Sequence, residues 1–265
     1  MDSILLTGGT GMLGQEIAKL LDKRNFNVII LSLKEKPKST LGIEILKGDI
    51  ADKKSLKSID NKFDTIIHCA SNPQNSEVVD VIGSENLLDV FGKNTLKHFI
   101  YVSIVGVDKS WFPYYRSKYK VEEKIKESRI PWTILRATQF HNLVLNRIIK
   151  PIVDEKQSPV LIPSGMQFQS IDISEVAKRI VELVTKEPLN NIQHIGGPEV
   201  MTFEEMLQIY FDTFNIDEKI EYISTSNEFY NLFTTGINLC PNYAFGRITW
   251  KQYVDKMKTM SDNKL

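Results

Sequence analysis

This chain has little of what would mark a scaffold held by covalent or metal cross-links. Its 265 residues contain only two cysteines, Cys69 and Cys240, far apart and without metal-ligand spacing. Disulfide stapling is therefore not an organising principle, and a reduced, cytoplasmic setting is the simple expectation. The four histidines, His68, His98, His141 and His194, are scattered, so no zinc site is expected. Charge of one sign is not in excess either, with Lys and Arg numbering 33 against 33 for Asp and Glu. Without a global field the chain has nothing to draw nucleic acid or an anionic membrane, and neither is expected as a partner. No apolar run approaches roughly 18 residues, the length needed to span a bilayer, and the N-terminus lacks the basic segment of a signal peptide. Internal repeats and low-complexity tracts are missing as well. What remains is an ordinary globular composition, 42% hydrophobic and 25% charged. The length suits one large α/β domain, or a domain with a smaller lobe.

The most informative stretch is Ser3–Gly14, SILLTGGTGMLG. A short apolar run (Ile4, Leu5, Leu6) ends in Gly9-x-Gly11-x-x-Gly14, and Ile17, Leu20 and Leu21 follow at helical spacing. Strand, glycine turn and helix in that order make a dinucleotide-binding pattern. One glycine makes the tight turn, one admits the backbone to a pyrophosphate, and one lets helix and strand pack closely. The helix N-terminus then offers N–H groups and a partial positive charge to the anion.

Strand and helix signals alternate through residue 136. Strands are expected at Ile4–Leu6, Asn27–Ser32, Ile43–Leu46, Asp64–Cys69, Phe99–Ser103 and Trp132–Arg136. Helices are expected near 15–24, 53–60, 79–93 and 115–128. This repetition predicts an α/β fold, a Rossmann-like doubly wound parallel sheet with a small C-terminal substrate lobe. The expected division is a dinucleotide-binding domain over 1–150 and a lobe over 151–265. In the later part, Asp172–Glu175 and Thr202–Glu205 resemble capping boxes that open helices, and Gln193–Gly197 reads as a strand running into a turn. The aromatics between 229 and 253 read as core of the lobe, Cys69 as a small core residue, and His68 as a hydrogen-bonded group at a strand end.

The second strand ends Ser32-Leu33-Lys34-Glu35-Lys36. A 2′-phosphate seeks cationic and hydroxyl partners, so Ser32 and Lys34 favour NADP(H) over NAD(H), and Glu35 keeps NAD(H) open. For chemistry, Tyr114 and Lys118 are four apart and share a helical face. A nearby ammonium favours phenolate and makes a tyrosine usable as a general acid or base. Ser103, at a strand end, is placed to orient a substrate carbonyl. Tyr115, offset by one residue, competes with Tyr114.

TGGTGMLG, the GDI at 48–50, HCAS at 68–71, YVSIVGVD at 101–108, PYYRSKYKVEE at 113–123, PWTILRATQFH at 131–141 and GGPEVMTFEEM at 196–206 resemble the atypical short-chain dehydrogenase/reductases, closest to their NmrA-like NAD(P)-binding members. The resemblance covers roughly residues 1–210 and implies an extended Rossmann fold. It implies that Thr7, Gly9, Thr10, Gly11, Met12 and Leu13 line the pyrophosphate, and that Asp49 and Ile50 touch adenine. Ala70 and Ser71 would flank the ribose, Lys118 would hold the nicotinamide ribose, and Gln139, Phe140 and His141 would close the pocket. An arginine common after the second strand is replaced here by Leu33. The expectation is an NADP(H)-dependent oxidoreductase passing hydride to a small carbonyl, quinone or similar electrophile, with Tyr114, Lys118 and Ser103 as its catalytic residues. The alternative is a non-catalytic NADP(H)-binding redox sensor that signals through a protein partner. An epimerase or dehydratase of nucleotide sugars comes last, because residues 187–246 are poor in the basic groups a diphosphate needs.

Overall fold

A computed structural model describes residues 3–33, 42–60, 62–92, 96–154, 158–224 and 227–263. Alternation begins with β1 (Ser3–Thr7), α1 (Met12–Asp22), β2 (Asn27–Ser32) and β3 (Glu44–Lys47). It continues with α2 (Lys53–Lys57), β4 (Thr65–His68), a π-helical turn (Glu77–Ile82) that runs into α3 (Gly83–Phe91), β5 (His98–Ile104), α4 (Pro113–Glu127) and β6 (Trp132–Ala137). The chain then forms α5 (His141–Val144), α6 (Lys150–Asp154), β7 (Val160–Pro163) and β8 (Gln167–Phe168). After α7 (Ile173–Val184) and β9 (Ile192–Ile195) it ends with β10 (Met201–Thr202), α8 (Phe203–Phe214), β11 (Ile220–Ile223), α9 (Glu228–Thr234) and α10 (Trp250–Asp262).

Seven strands form one sheet in the order β3-β2-β1-β4-β5-β6-β9. The ladders that join β3, β2, β1, β4 and β5 are parallel. Strands covered on both faces should be apolar throughout rather than alternating. Accordingly Ile4, Leu5, Leu6, Ile66, Ile67, Phe99 and Ile100 all have no exposed surface. One core layer joins Leu5, Ile29, Ile66, Phe99 and Ile134 of the sheet to Leu87 of α3 and to Val121 and Ile125 of α4. Each such side chain contributes about 1.5–3 kcal/mol by leaving water. The Rossmann-like sheet expected from the alternation is therefore present.

The chain resolves into two compact units, one of residues 1–136 with 174–193, the other of 137–173 with 194–265. In the second unit β7 pairs with β11 and β8 with β10. Its core gathers Phe168, Phe203, Phe211, Phe233 and Trp250, all at most 2% exposed. Thr202 and Glu205 form the expected reciprocal cap of α8. Of the late aromatics, Phe233, Trp250 and Tyr253 are buried, whereas Tyr243 and Phe245 are exposed. No helix among the described residues is long and apolar enough to cross a membrane.

Candidate functional site

Strand order reverses between β1 and β4, where a doubly wound sheet opens a crevice at the carboxyl ends of its strands. A cleft of about 920 Å³ lies there, lined by residues that follow β1, β2, β3 and β4. The glycine turn after β1 has the shape an anion needs. Gly8 has φ +71°, a left-handed conformation that side chains rarely adopt. A Cβ on Gly14 would collide with the Gly8 carbonyl and stand 2.6 Å from the Gly9 Cα, so α1 can approach β1 only as glycine. Gly11 caps α1 without a side chain, and the first turn carries no acidic residue. A helix N-terminus prepared in this way fits a pyrophosphate.

Eight of the expected cofactor residues line this cleft: Thr7, Thr10, Gly11, Ser32, Asp49, Ile50, Ala70 and Ser71. Gly9 packs behind it against Ile30. Met12 is exposed and Leu13 buried on the first turn of α1. Lys34 lies outside the described residues. Gln15, Leu31, Asn72 and Val79, which nothing in the sequence singled out, also line the cleft, as do Leu33, at the position where an arginine is common, and Cys69, expected as a small core residue. Burial pushes the Cys69 thiol up to about 12, leaving it protonated and unreactive at neutral pH.

Gln139, Phe140 and His141 belong to the second unit. His141 Nε2 is 3.0 Å from the Ile248 carbonyl oxygen and Nδ1 is 2.8 Å from Ser170 Oγ. Because a carbonyl only accepts, Nε2 carries the proton and Nδ1 accepts from the serine. Burial lowers the His141 pKa, which suits this neutral ring. The Gln139 amide oxygen accepts from Asn238 at 3.3 Å, and the Phe140 carbonyl takes the backbone N–H groups of Leu143 and Val144.

Two polar clusters hang from α4 in the first unit. In one, Tyr114 Oη stands 2.8 Å from Ser71 Oγ, which donates to Asp80 Oδ1 at 2.6 Å. Lys118 Nζ lies 3.2 Å from the same carboxylate oxygen and donates to the Val102 carbonyl at 3.3 Å. Asp80 Oδ2 accepts from the backbone N–H of Asn72 at 3.0 Å. Asp80 and Lys118 are almost fully buried. Burial works against the charge on Lys118, but the oxygens of Tyr101, Tyr114 and Asp80 outweigh it and hold the ammonium well above its ordinary range. Nζ also sits 4.9 Å from the centre of the Tyr101 ring and 5.9 Å from that of Tyr114. Tyr115 is buried and packs edge-on against Phe112.

In the other cluster, one helical turn along, Ser103 donates its proton to Glu122 Oε1 at 2.5 Å. Arg136 grips both oxygens of Glu122, at 2.9 and 2.5 Å, and reaches Asp108 at 2.9 Å. Asp80 carries one signal in the sequence. A lone carboxylate inside the apolar run Val78-Val79-Asp80-Val81-Ile82 calls for a buried partner.

Behind β1, Thr7 Oγ1 is 2.6 Å from His68 Nδ1, and His68 Nε2 is 2.8 Å from Ser84 Oγ. Ser84 spends its proton on the Asp80 carbonyl at 2.5 Å, so it accepts from Nε2–H, and Nδ1 accepts from Thr7. Burial lowers the His68 pKa to about 3, in keeping with a neutral ring.

Residues 8–187 match the model of a family described as NAD(P)H-binding. Among curated proteins, the photosystem II assembly factor Ycf39 of Trieres chinensis is 23% identical over 261 residues, covering 93% of this chain and 81% of that protein. Among solved structures, the NADPH-dependent quinone oxidoreductase QOR2 of Escherichia coli, complexed with NADPH, superposes with a TM-score of 0.82 at 14% identity, covering 96% of this chain and 99% of that one. UDP-glucose 4-epimerase of Thermotoga maritima, with UDP-glucose, gives 0.78 at 15% identity and covers 99% of each chain. At these identities the solved structures establish the fold.

Proposed function

The chain belongs to the NAD(P)H-binding family, and from that premise we propose that it is an NADP(H)-dependent oxidoreductase reducing a small carbonyl, quinone or similar electrophile. The observation that carries this reading is the Tyr114 hydroxyl, held 2.8 Å from Ser71 on the cleft wall with Lys118 beside the same ring. A phenol there can deliver a proton where a reduced cofactor in the cleft reaches substrate. When bound, the nicotinamide supplies hydride, and everything else is left to the chain.

In this reading Thr7, Gly9, Thr10, Gly11, Met12 and Leu13 hold the pyrophosphate, Asp49 and Ile50 the adenine, and Ser32 with Lys34 the 2′-phosphate. Ala70 and Ser71 flank the ribose. Gln139, Phe140 and His141 are the residues proposed from the sequence resemblance to close the pocket. Tyr114 gives its proton to the carbonyl oxygen as that oxygen gains electrons, and Lys118 favours the phenolate left behind. Ser103, proposed from the sequence to orient the carbonyl, would have to release Glu122 to do so, whereas the Ser71 hydroxyl already stands beside Tyr114. Likeness to an assembly factor supports the second reading, a cofactor-binding regulator without turnover.

Calorimetric titration of cofactor-free protein with NADPH, NADP⁺, NADH and NAD⁺ tests the proposal, followed by NADPH oxidation with quinones and carbonyls. Micromolar binding of both NADP(H) forms, weaker NAD(H) and turnover are expected. Tight binding of one redox form, with no electrophile reduced, would establish the regulator instead.

A further inference from the structure

We infer that Asp80 is a positioning residue that keeps Tyr114 in its proton-donating form, by directing the Tyr114–Ser71 hydrogen bond and by balancing the charge of Lys118. The inference rests on the reading of Tyr114 as proton donor and adds what holds the proton there.

The direction follows from counting protons. A carboxylate only accepts, so Ser71, 2.6 Å from Asp80 Oδ1, spends its single proton on Asp80. Ser71 Oγ is then left only with lone pairs toward Tyr114, 2.8 Å away, and Tyr114 must be the donor. A phenolate in its place would face those lone pairs unless Ser71 turned away from a buried carboxylate. Hydrogen bonding that requires the neutral form disfavours the charged one.

Charge acts in the same sense. An ammonium near a phenol favours phenolate, and Lys118 Nζ is 5.9 Å from the Tyr114 ring centre. Asp80 sits closer to that ammonium, at 3.2 Å, so the tyrosine meets a pair rather than a bare cation. The other groups around Tyr114 do not supply the missing charge. Tyr115, on the same helix, presents a ring edge, and Arg116 is stacked on Trp111. From β5, the Tyr101 phenol is pushed up by burial and stays protonated, and His68, stacked on Tyr101, is neutral. The π-helical turn anchors Asp80, whose carboxylate also takes the Asn72 N–H and whose carbonyl takes the Ser84 hydroxyl.

Reduction of a carbonyl needs this form. The Tyr114 O–H bond breaks and the product O–H bond forms, with the carbonyl π electrons ending on the oxygen that receives the proton. A bound reduced nicotinamide cofactor would supply the hydride for the new C–H bond on the carbonyl carbon and would itself be left oxidised.

Phenolate absorbance of the cofactor-free protein, titrated with base and corrected with Tyr114→Phe, isolates the Tyr114 signal. Asp80→Asn is expected to move its midpoint down by about one pH unit by unmasking Lys118, and adding Lys118→Met to bring it back. Ser71→Ala, which spares the ion pair, is expected to move it less in the same direction. An unmoved midpoint in folded Asp80→Asn overturns the inference. If circular dichroism shows that this variant does not fold, an unmoved midpoint in Ser71→Ala overturns it instead. Neither substrate nor cofactor is present, so these outcomes stand apart from failure of the oxidoreductase reading, which would appear as wild-type protein that oxidises no NADPH.

Discussion

The two clusters on α4 are built from the same three kinds of group, a serine on a buried carboxylate that is paired with a cation. In one, Ser103 meets Glu122 and Arg136, and in the other Ser71 meets Asp80 and Lys118. They differ in what each has left over. Arg136 spreads its guanidinium over both Glu122 oxygens and Asp108, so the first cluster spends its donors on the fold and ties β5, α4 and β6 together. Burial raises the Asp108 carboxyl, but hydrogen bonding from Arg136 outweighs this and holds it below the usual range. The second cluster ends at a serine on the cleft wall whose oxygen still accepts from a tyrosine. A buried pair becomes chemistry only where one of its members keeps a hydrogen-bonding position open to a ligand.

The largest test of this contrast is to remove the fork. Arg136→Met leaves Glu122 buried and unpaired, and is expected to cost about 3–5 kcal/mol of stability, read as a lower midpoint in urea. Next comes Tyr114→Phe, expected to cut turnover by about 10²–10⁴ while NADPH affinity and the urea midpoint stay near wild type. Retention of full activity would remove Tyr114 from the proton step.

A third buried chain, Thr7–His68–Ser84, carries no formal charge and sharpens the comparison through pH. Burial lowers the His68 pKa to about 3 and the His98 pKa to about 4, below their unfolded values near 6.5. Between those limits the unfolded chain binds more protons than the folded one, so stability rises with pH and is lost as pH falls below about 6.5. The slope is on the order of 1.4 kcal/mol per pH unit for each histidine, and urea midpoints measured from pH 7 to 4 give it. His68→Gln is expected to make the slope shallower. The smallest expected effects separate the two serines. Ser103→Ala should cost about 1–3 kcal/mol of stability by orphaning one contact of Glu122. Ser71→Ala, at an exposed hydroxyl, should cost less stability and reduce the rate constant for turnover more. The opposite ranking would exchange the roles of the two clusters.

Much of this was legible in the residues. The strands expected at 27–32 and 132–136 lie at Asn27–Ser32 and Trp132–Ala137, because β-branched apolar runs bounded by polar turns have few other uses. The glycine spacing located the turn after β1, since backbone crowding there admits no Cβ. Less was legible where contacts are distant in sequence. The C-terminal helix at Trp250–Asp262 was less legible, although Thr249 and Gln252 form a capping box, because its residues are on average polar. The π-helical turn at Glu77–Ile82 has no period that a sequence displays.

The sequence by itself determined the sheet, the glycine turn and the class of cofactor, because those depend on local backbone freedom and on apolar periodicity. Only the tertiary structure decided which serine faces Tyr114. Ser71 and Tyr114 are 43 positions apart, and Ser103 and Glu122 are 19. A hydroxyl carries one proton, and where it goes is settled by whichever acceptor the fold brings within reach.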